Sequence, residues 1–286
     1  MTTYAITGAT GNFGQTAVKA LVQDVGARNV IALARNAEKA AKVLPAAVTV
    51  RPGSYEDVAT LTTSLQGIDR LLFISSQPGG AMPRPEQHAN VVNAAKAAGV
   101  KLIAYTSYAH LETAKAPLAD DHQATEALIK ASGLTYTFLR NNWYLENDLN
   151  VLKAGAAGQP FVYAAGDGKA GWALERDYAT AAAKVLQLAE PKAVYEFSGP
   201  AHTYAELAAA VKEATGQDFP VQSISEEAYQ AGLEKSGMDS ATASIVTGIQ
   251  DLIKIGDLAG TTDDLPNILG HSLPSLAESI KEVLAK

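Results

Sequence analysis

Apolar residues fall along this chain in short runs that alternate with longer stretches at helical spacing. Tyr4–Thr7 is a short β-prone run, and Ala17, Val18, Leu21 and Val25 recur behind it at the period of a helix over Gln15–Val25. Asn29–Ala34, Val48–Arg51, Leu71–Ile74, Lys101–Tyr105 and Leu134–Leu139 repeat the strand pattern. Helices are predicted between them: one N-capped by Asn36, one by Ser54, one over Glu86–Ala98 closed by Gly99, and one over Ala119–Ala131. This strand–helix rhythm with short connections predicts an α/β fold, a doubly wound parallel sheet of Rossmann-like type that binds ligands at the strand C-termini. Beyond Asn141 the rhythm loosens. A short strand at Phe161–Tyr163, a helix from Arg176 to Leu188, a strand at Ala193–Phe197, a capping box at Thr203–Glu206 and an amphipathic helix through Leu276–Leu284 follow. Residues 1–141 are therefore expected to form a sheet domain. Residues 142–286 form a smaller, mostly helical lobe, with a soft boundary because the chain is expected to return to the first domain.

The first connection carries chemistry. Between the first strand and helix stands Gly8-Ala9-Thr10-Gly11-Asn12-Phe13-Gly14. Glycines at this spacing let the backbone turn tightly, approach a pyrophosphate and offer it the free N–H groups and partial positive charge of a helix N-terminus. A glycine triplet also serves ordinary turns, but strand, loop and helix in this order are the context that the dinucleotide fingerprint requires. Gly8, Thr10, Gly11, Asn12 and Phe13 are the candidate cofactor residues, and residues 1–141 the dinucleotide-binding domain. At the end of the second strand, where a carboxylate would hold adenosine ribose hydroxyls, the sequence has Arg35. A guanidinium can clamp a 2′-phosphate that a carboxylate would repel, so NADPH is expected over NADH. Ser75 and Ser76 follow the fourth strand at the same edge. The loop Pro78–Pro85 fits either a lid or a plain connector.

Composition narrows the partners. The 286 residues are 47 % hydrophobic and carry a net charge of −7, enough for a substantial core and unsuited to nucleic acid. Cysteine is absent, so there is no disulfide, thiolate nucleophile or thiolate metal ligand. The chain enters its first strand without a signal-like segment, and no apolar run approaches the ~20 residues of a membrane span. A cytoplasmic protein is expected.

The pieces GATGNFG at Gly8–Gly14, ALARN at Ala32–Asn36, LLFISS at Leu71–Ser76, IAYTS at Ile103–Ser107, LRNNWYLEN at Leu139–Asn147 and AAGDGK at Ala164–Lys169 give the chain a further resemblance. It resembles the NmrA-like branch of the atypical short-chain dehydrogenases/reductases, and within it the type 2 NAD(P)H:quinone oxidoreductases. The resemblance implies that Leu139 and Asn141 border the cofactor and that Asn142, Trp143 and Tyr144 border the adjoining substrate pocket. It implies hydride transfer from NADPH directly to a quinone or similar planar electrophile, without flavin or metal.

Ketone-reducing members of that superfamily use a Tyr-x-x-x-Lys pair. Here His122 stands at the tyrosine position and Glu126 at the lysine position. Hydride addition to a ketone makes an alkoxide whose conjugate acid has a pKa near ~16, comparable to water, so a positioned acid matters. Addition to a quinone makes a phenol-like anion, near the ~10 of tyrosine, which water or a neutral histidine could protonate. The missing pair therefore counts against a carbinol dehydrogenase. It leaves two readings open: a quinone reductase, and a non-catalytic NmrA-like NADP-binding redox sensor. The five histidines show no metal-ligand spacing, so no metal site is expected. His122 is the one expected on a helix facing the cleft, a candidate for substrate contact or proton supply. Tyr105 is expected to be buried in its strand.

Overall fold

The computed structural model describes residues 1–285. In chain order the sheet half contains β1 (Tyr4–Ile6), α1 (Asn12–Val25), β2 (Val30–Ala34), α2 (Ala37–Val43), β3 (Thr49–Pro52), α3 (Val58–Ser64), β4 (Arg70–Phe73), α4 (Arg84–Ala97), β5 (Leu102–Tyr108), α5 (Pro117–Ser132) and β6 (Thr135–Asn141). It is followed by α6 (Leu149–Ala156), β7 (Phe161–Tyr163), β8 (Lys169–Ala170), α7 (Glu175–Gln187), β9 (Val194–Phe197), β10 (His202–Thr203) and α8 (Tyr204–Thr215). The last elements are β11 (Val221–Ser223), α9 (Glu226–Lys235), α10 (Ser240–Lys254), α11 (Asp264–Leu269) and α12 (Leu276–Leu284). Among the described residues no helix is long and apolar enough to cross a membrane.

Seven strands form one parallel sheet in the order β3-β2-β1-β4-β5-β6-β9. The order reverses at β1, which creates a crevice at the strand C-termini between the two directions of winding. Alternation along the strands fills both faces. Tyr4 and Ile6 point into a core shared with α1, α7 and α11, whereas Ala5 points into a core shared with α3, α4 and α5. The seventh strand comes from the second half of the chain: β9 pairs with β6, placing Phe138 opposite Val194 and Asn141 opposite Phe197. The chain thus returns to the sheet after residue 142, and α7 returns with it to pack beside α1.

The remaining elements gather around a third core. Leu152 of α6, Phe161 of β7, Tyr204 and Leu207 of α8 and Ile280 of α12 meet there with Trp172 and Leu174. Two small sheets, β8–β10 antiparallel and β7–β11 parallel, brace this lobe. Local signals placed most helix ends. The α8 box forms as expected, with Thr203 and Glu206 exchanging hydrogen bonds, and Asn36 caps α2. One cap is corrected. Asp57 rather than Ser54 accepts from the backbone of the third helical residue of α3, at 2.9 Å from Thr60 N. Ser54 belongs instead to the turn that brings Tyr55 under the sheet edge.

Candidate functional site

The glycine loop leaves β1 through Gly8, whose φ of +60° is in the left-handed region that favours glycine. Helix α1 begins at Asn12, three residues earlier than its apolar period suggested, so Phe13 and Gly14 are in its first turn. Gly14 is pressed onto the loop: a Cβ there would stand 2.3 Å from Gly8 O. Gly11 is the N-cap, no side chain caps the helix, and no acid occupies its first turn. The exposed helix end is therefore free to receive an anion. The Phe13 ring is buried and lies 6.3 Å from the Tyr144 ring in a stacked pair, so Phe13 can offer a ligand only its backbone N–H. Thr10 is half-buried and Asn12 exposed at the same turn.

Arg35 stands exposed just beyond β2. Among the described residues it makes no hydrogen bond or ion pair, while Asn36 beside it is committed to capping α2 through Lys39 N. Tyr55 closes the edge from below. Its hydroxyl lies 2.6 Å from Ile74 O and 2.5 Å from Thr7 Oγ1, tying the turn after β3 to the ends of β1 and β4. Burial raises the pKa of this phenol, against the pull of Thr7 and Arg35.

Beyond β4, Ser75 N donates to Thr106 Oγ1 at 2.8 Å and Ser76 N donates to His88 Nε2 at 3.1 Å. Because Nε2 accepts, His88 carries its proton on Nδ1 and donates it to Thr125 Oγ1 at 2.8 Å. Arg84 Nε donates to Ser76 O at 2.7 Å, and its Nη2 donates to His122 Nε2 at 3.0 Å. His122 Nδ1 therefore faces the Tyr105 hydroxyl as a donor, at 2.9 Å. Burial, then Arg84, pushes the His88 pKa down to about 3; burial, then Arg84 and His88, holds His122 well below the ordinary value. His122 is 4 % exposed and has both ring nitrogens engaged. Tyr105 is fully buried, as the strand pattern implied.

The other half of the replaced pair is sealed as well. Glu126 accepts from Ser107 Oγ at 2.7 Å and from the Arg140 guanidinium on both oxygens. Arg140 reaches Glu112 and Glu196 too. At the end of β6, Leu139 is wholly buried in the core. Asn141 donates to the Tyr144 hydroxyl at 3.0 Å, while its Oδ1 is buried without a partner. Asn142 Nδ2 lies within hydrogen-bonding distance of Ser198 Oγ, Leu258 O and Gly260 O, and its Oδ1 accepts from Trp143 N. It thus clips the Leu258–Gly260 segment to the sheet edge. Trp143 is half-buried with its indole N–H on Asp148 at 3.0 Å. Tyr144 is half-buried between Phe13 and Tyr178, and burial raises the pKa of its hydroxyl.

Three groups at this edge fit a phosphorylated dinucleotide: an uncapped helix N-terminus whose Gly14 packs too closely on the loop for a side chain, an unpaired arginine at the next strand, and an orphaned amide oxygen at β6. Sequence reasoning missed Tyr55, Arg84, His88 and Arg140. The structure starts α4 at Arg84, two residues before the predicted Glu86, and this puts Arg84 and His88 four apart on one helical face, opposite Asp121, His122 and Thr125 on α5.

A family profile described as NAD(P)H-binding matches residues 8–168. The chain is 41 % identical over 281 residues to quinone oxidoreductase 2 of Escherichia coli, covering 98 % of each. The solved structure of the NADPH-dependent quinone oxidoreductase from that organism, complexed with NADPH, is similar with a TM-score of 0.92, covering 98 % of this chain and 99 % of that one. The Citrobacter sp. triphenylmethane reductase complexed with NADP(H) is similar with a TM-score of 0.93 at 36 % identity, covering 98 % of this chain and 99 % of that one.

Proposed function

The chain belongs to the NAD(P)H-binding family, and from that membership we propose that it is an NADPH-dependent oxidoreductase acting on quinones or similarly planar electrophiles. The observation that carries this reading is the identity of 41 % with quinone oxidoreductase 2 over 98 % of both chains, which spans every element of the site. The bound NADPH supplies the hydride, with no flavin or metal as intermediary.

The residues divide the remaining work. Backbone N–H groups at Asn12 and Phe13 receive the pyrophosphate, with Gly8, Thr10 and Gly11 shaping the turn, where Gly11 N donates to Gly8 O. Arg35 pairs with the 2′-phosphate. Ser75, Ser76 and Asn141 line the nicotinamide end, where Asn141 Oδ1 offers an acceptor to a ligand donor. Tyr144 and the exposed face of Trp143 form the flat wall for the acceptor, while Leu139 and Asn142 support that wall from beneath. His122 keeps a neutral ring in place and holds Tyr105; it positions the edge and is not the proton donor. None is needed, because a phenol-like product with a pKa of ~10 takes its proton from water.

The test follows NADPH absorbance with a panel of quinones, with and without added flavin. Acceptor-dependent oxidation without flavin supports this reading. Its absence across the panel favours the redox-sensor alternative.

A further inference from the structure

Past Phe73, where β4 stops pairing with β5, the chain runs on through Ile74, Ser75 and Ser76 outside the ladder. Side chains take over its backbone groups there. Ile74 N donates to Thr7 Oγ1 at 3.0 Å, Ile74 O accepts from the Tyr55 hydroxyl, Ser75 N donates to Thr106 Oγ1 and Ser76 N donates to His88 Nε2. The Ser76 carbonyl is held by Arg84 Nε at 2.7 Å.

That last donor carries a full charge into the protein. The Arg84 side chain is 5 % exposed, and Asp121, its one carboxylate among the described residues, is met by Nη1 at 3.3 Å and is itself 30 % exposed. The other two contacts are to neutral acceptors, Ser76 O and His122 Nε2. A buried cation paired this loosely is costly to keep, and an apolar side chain would fill the same space with less penalty.

The bond from Nε also closes a neck. Residues 77–83, which include Pro78, Gly79, Gly80 and Pro83, leave the sheet edge at Ser76 and return at Arg84, the first residue of α4. Arg84 joins the two ends of this loop across eight positions. Through Nη2 it is joined to His122 of α5, whose Nδ1 faces Tyr105 of β5. The guanidinium thus fixes Ser76 to α4, α5 and β5 and makes its place independent of the loop tip.

We propose that Arg84 is a positioning residue for the nicotinamide half of the cofactor, holding Ser75 and Ser76 at the sheet edge through its bond to Ser76 O. The inference rests on the proposed function, in which those two serines line the nicotinamide end. Being buried, Arg84 acts on the cofactor only through Ser76. Its fork matters, because Nε and Nη2 hold two acceptors at a fixed angle, which a single ammonium cannot do. The phosphates are served by Arg35 and the N-terminus of α1, after β2 and β1, and among the described residues the hydrogen bonds of Arg84 reach neither strand.

The experiment is calorimetric titration of the full chain with NADPH and, separately, with adenosine 2′,5′-bisphosphate, which keeps the 2′-phosphate and lacks the nicotinamide. Arg84→Met should weaken NADPH about tenfold or more and leave the bisphosphate within about twofold of the parent. A role confined to folding would weaken both ligands alike or neither. Arg84→Lys, which keeps the charge beside Asp121 but not the fork, should show the same contrast at smaller size. Equal losses for the two ligands, or unchanged NADPH affinity, in either variant overturn the proposal, so Arg84→Lys decides should Arg84→Met fail to fold. Both titrations are made without a quinone, so a parent that binds NADPH but never oxidises it contradicts the proposed activity and leaves this result intact.

Discussion

The Arg140 guanidinium grips the Glu126 carboxylate through two hydrogen bonds, Nε to Oε1 at 3.0 Å and Nη2 to Oε2 at 2.9 Å, with both side chains almost fully buried. Glu126 stands where ketone reducers of this superfamily keep a lysine, and His122 where they keep a tyrosine. Both positions are closed here by satisfied partners, Arg140 and Ser107 for the acid and Arg84 and Tyr105 for the imidazole. These partners support reading this face as structural support, and the variants below test that reading.

Breaking the pair should therefore cost stability. Removing one partner of a buried ion pair leaves an uncompensated charge, worth about 3–5 kcal/mol. Arg140→Ala is expected to lose that much in urea unfolding. A loss below about 1 kcal/mol would show that Glu126 finds solvent or another donor, contrary to its burial.

Cofactor choice should rest on Arg35. It has no competing partner among the described residues, so its charge is available to a 2′-phosphate. Arg35→Asp should weaken NADPH by roughly 10- to 100-fold while leaving NADH nearly unchanged or improved, because a charge-assisted bond is worth about 1.5–3 kcal/mol. Direct titration with both cofactors measures this, and equal losses would remove Arg35 from the phosphate site.

The imidazole of His122 should be dispensable for chemistry. His122→Gln retains a group able to accept from Arg84, and should lower kcat less than the ~10²–10⁴-fold expected on removing a general acid. A larger fall in kcat, with unchanged NADPH affinity and an unchanged circular dichroism spectrum, would make it the proton donor after all.

These networks also mark what the sequence could carry. The glycine loop, Arg35 and the end of β4 are legible because their chemistry is local: residue type and position after a strand suffice. The Arg84–His122 and Arg140–Glu126 contacts join residues 38 and 14 positions apart across two elements, and only the assembled sheet brings them together. Likewise Asp148 receives the indoles of Trp143 and Trp172 and the hydroxyl of Tyr204, a buried cluster invisible to spacing. Strand β9 was legible as a strand but not as the seventh member of the sheet. Ser54 and Asp57 both make good caps in sequence, and the turn that seats Tyr55 decides between them.

Acid should unfold the protein partly through His88. Its folded pKa, about 3, lies below the unfolded value of ~6.5. Between those values the unfolded state binds a proton that the folded state does not, so this contribution is full above pH 6.5 and is lost as pH falls. The slope is about 1.4 kcal/mol per pH unit for one such group. His88→Gln should flatten the fall in unfolding free energy between pH 6 and pH 4 by about that much. Identical slopes for parent and variant would place a charged histidine in the folded core.

The central claim is that NADPH and a planar acceptor react directly on this chain. The most direct measurement is an anaerobic single-turnover reaction of flavin-free protein preloaded with NADPH and mixed with a simple quinone. NADPH loss and hydroquinone gain are followed together. The account predicts one hydroquinone formed per NADPH consumed, at the same rate, and no acceleration by added flavin. NADPH that stays unoxidised, or that is oxidised only once flavin is supplied, would contradict it.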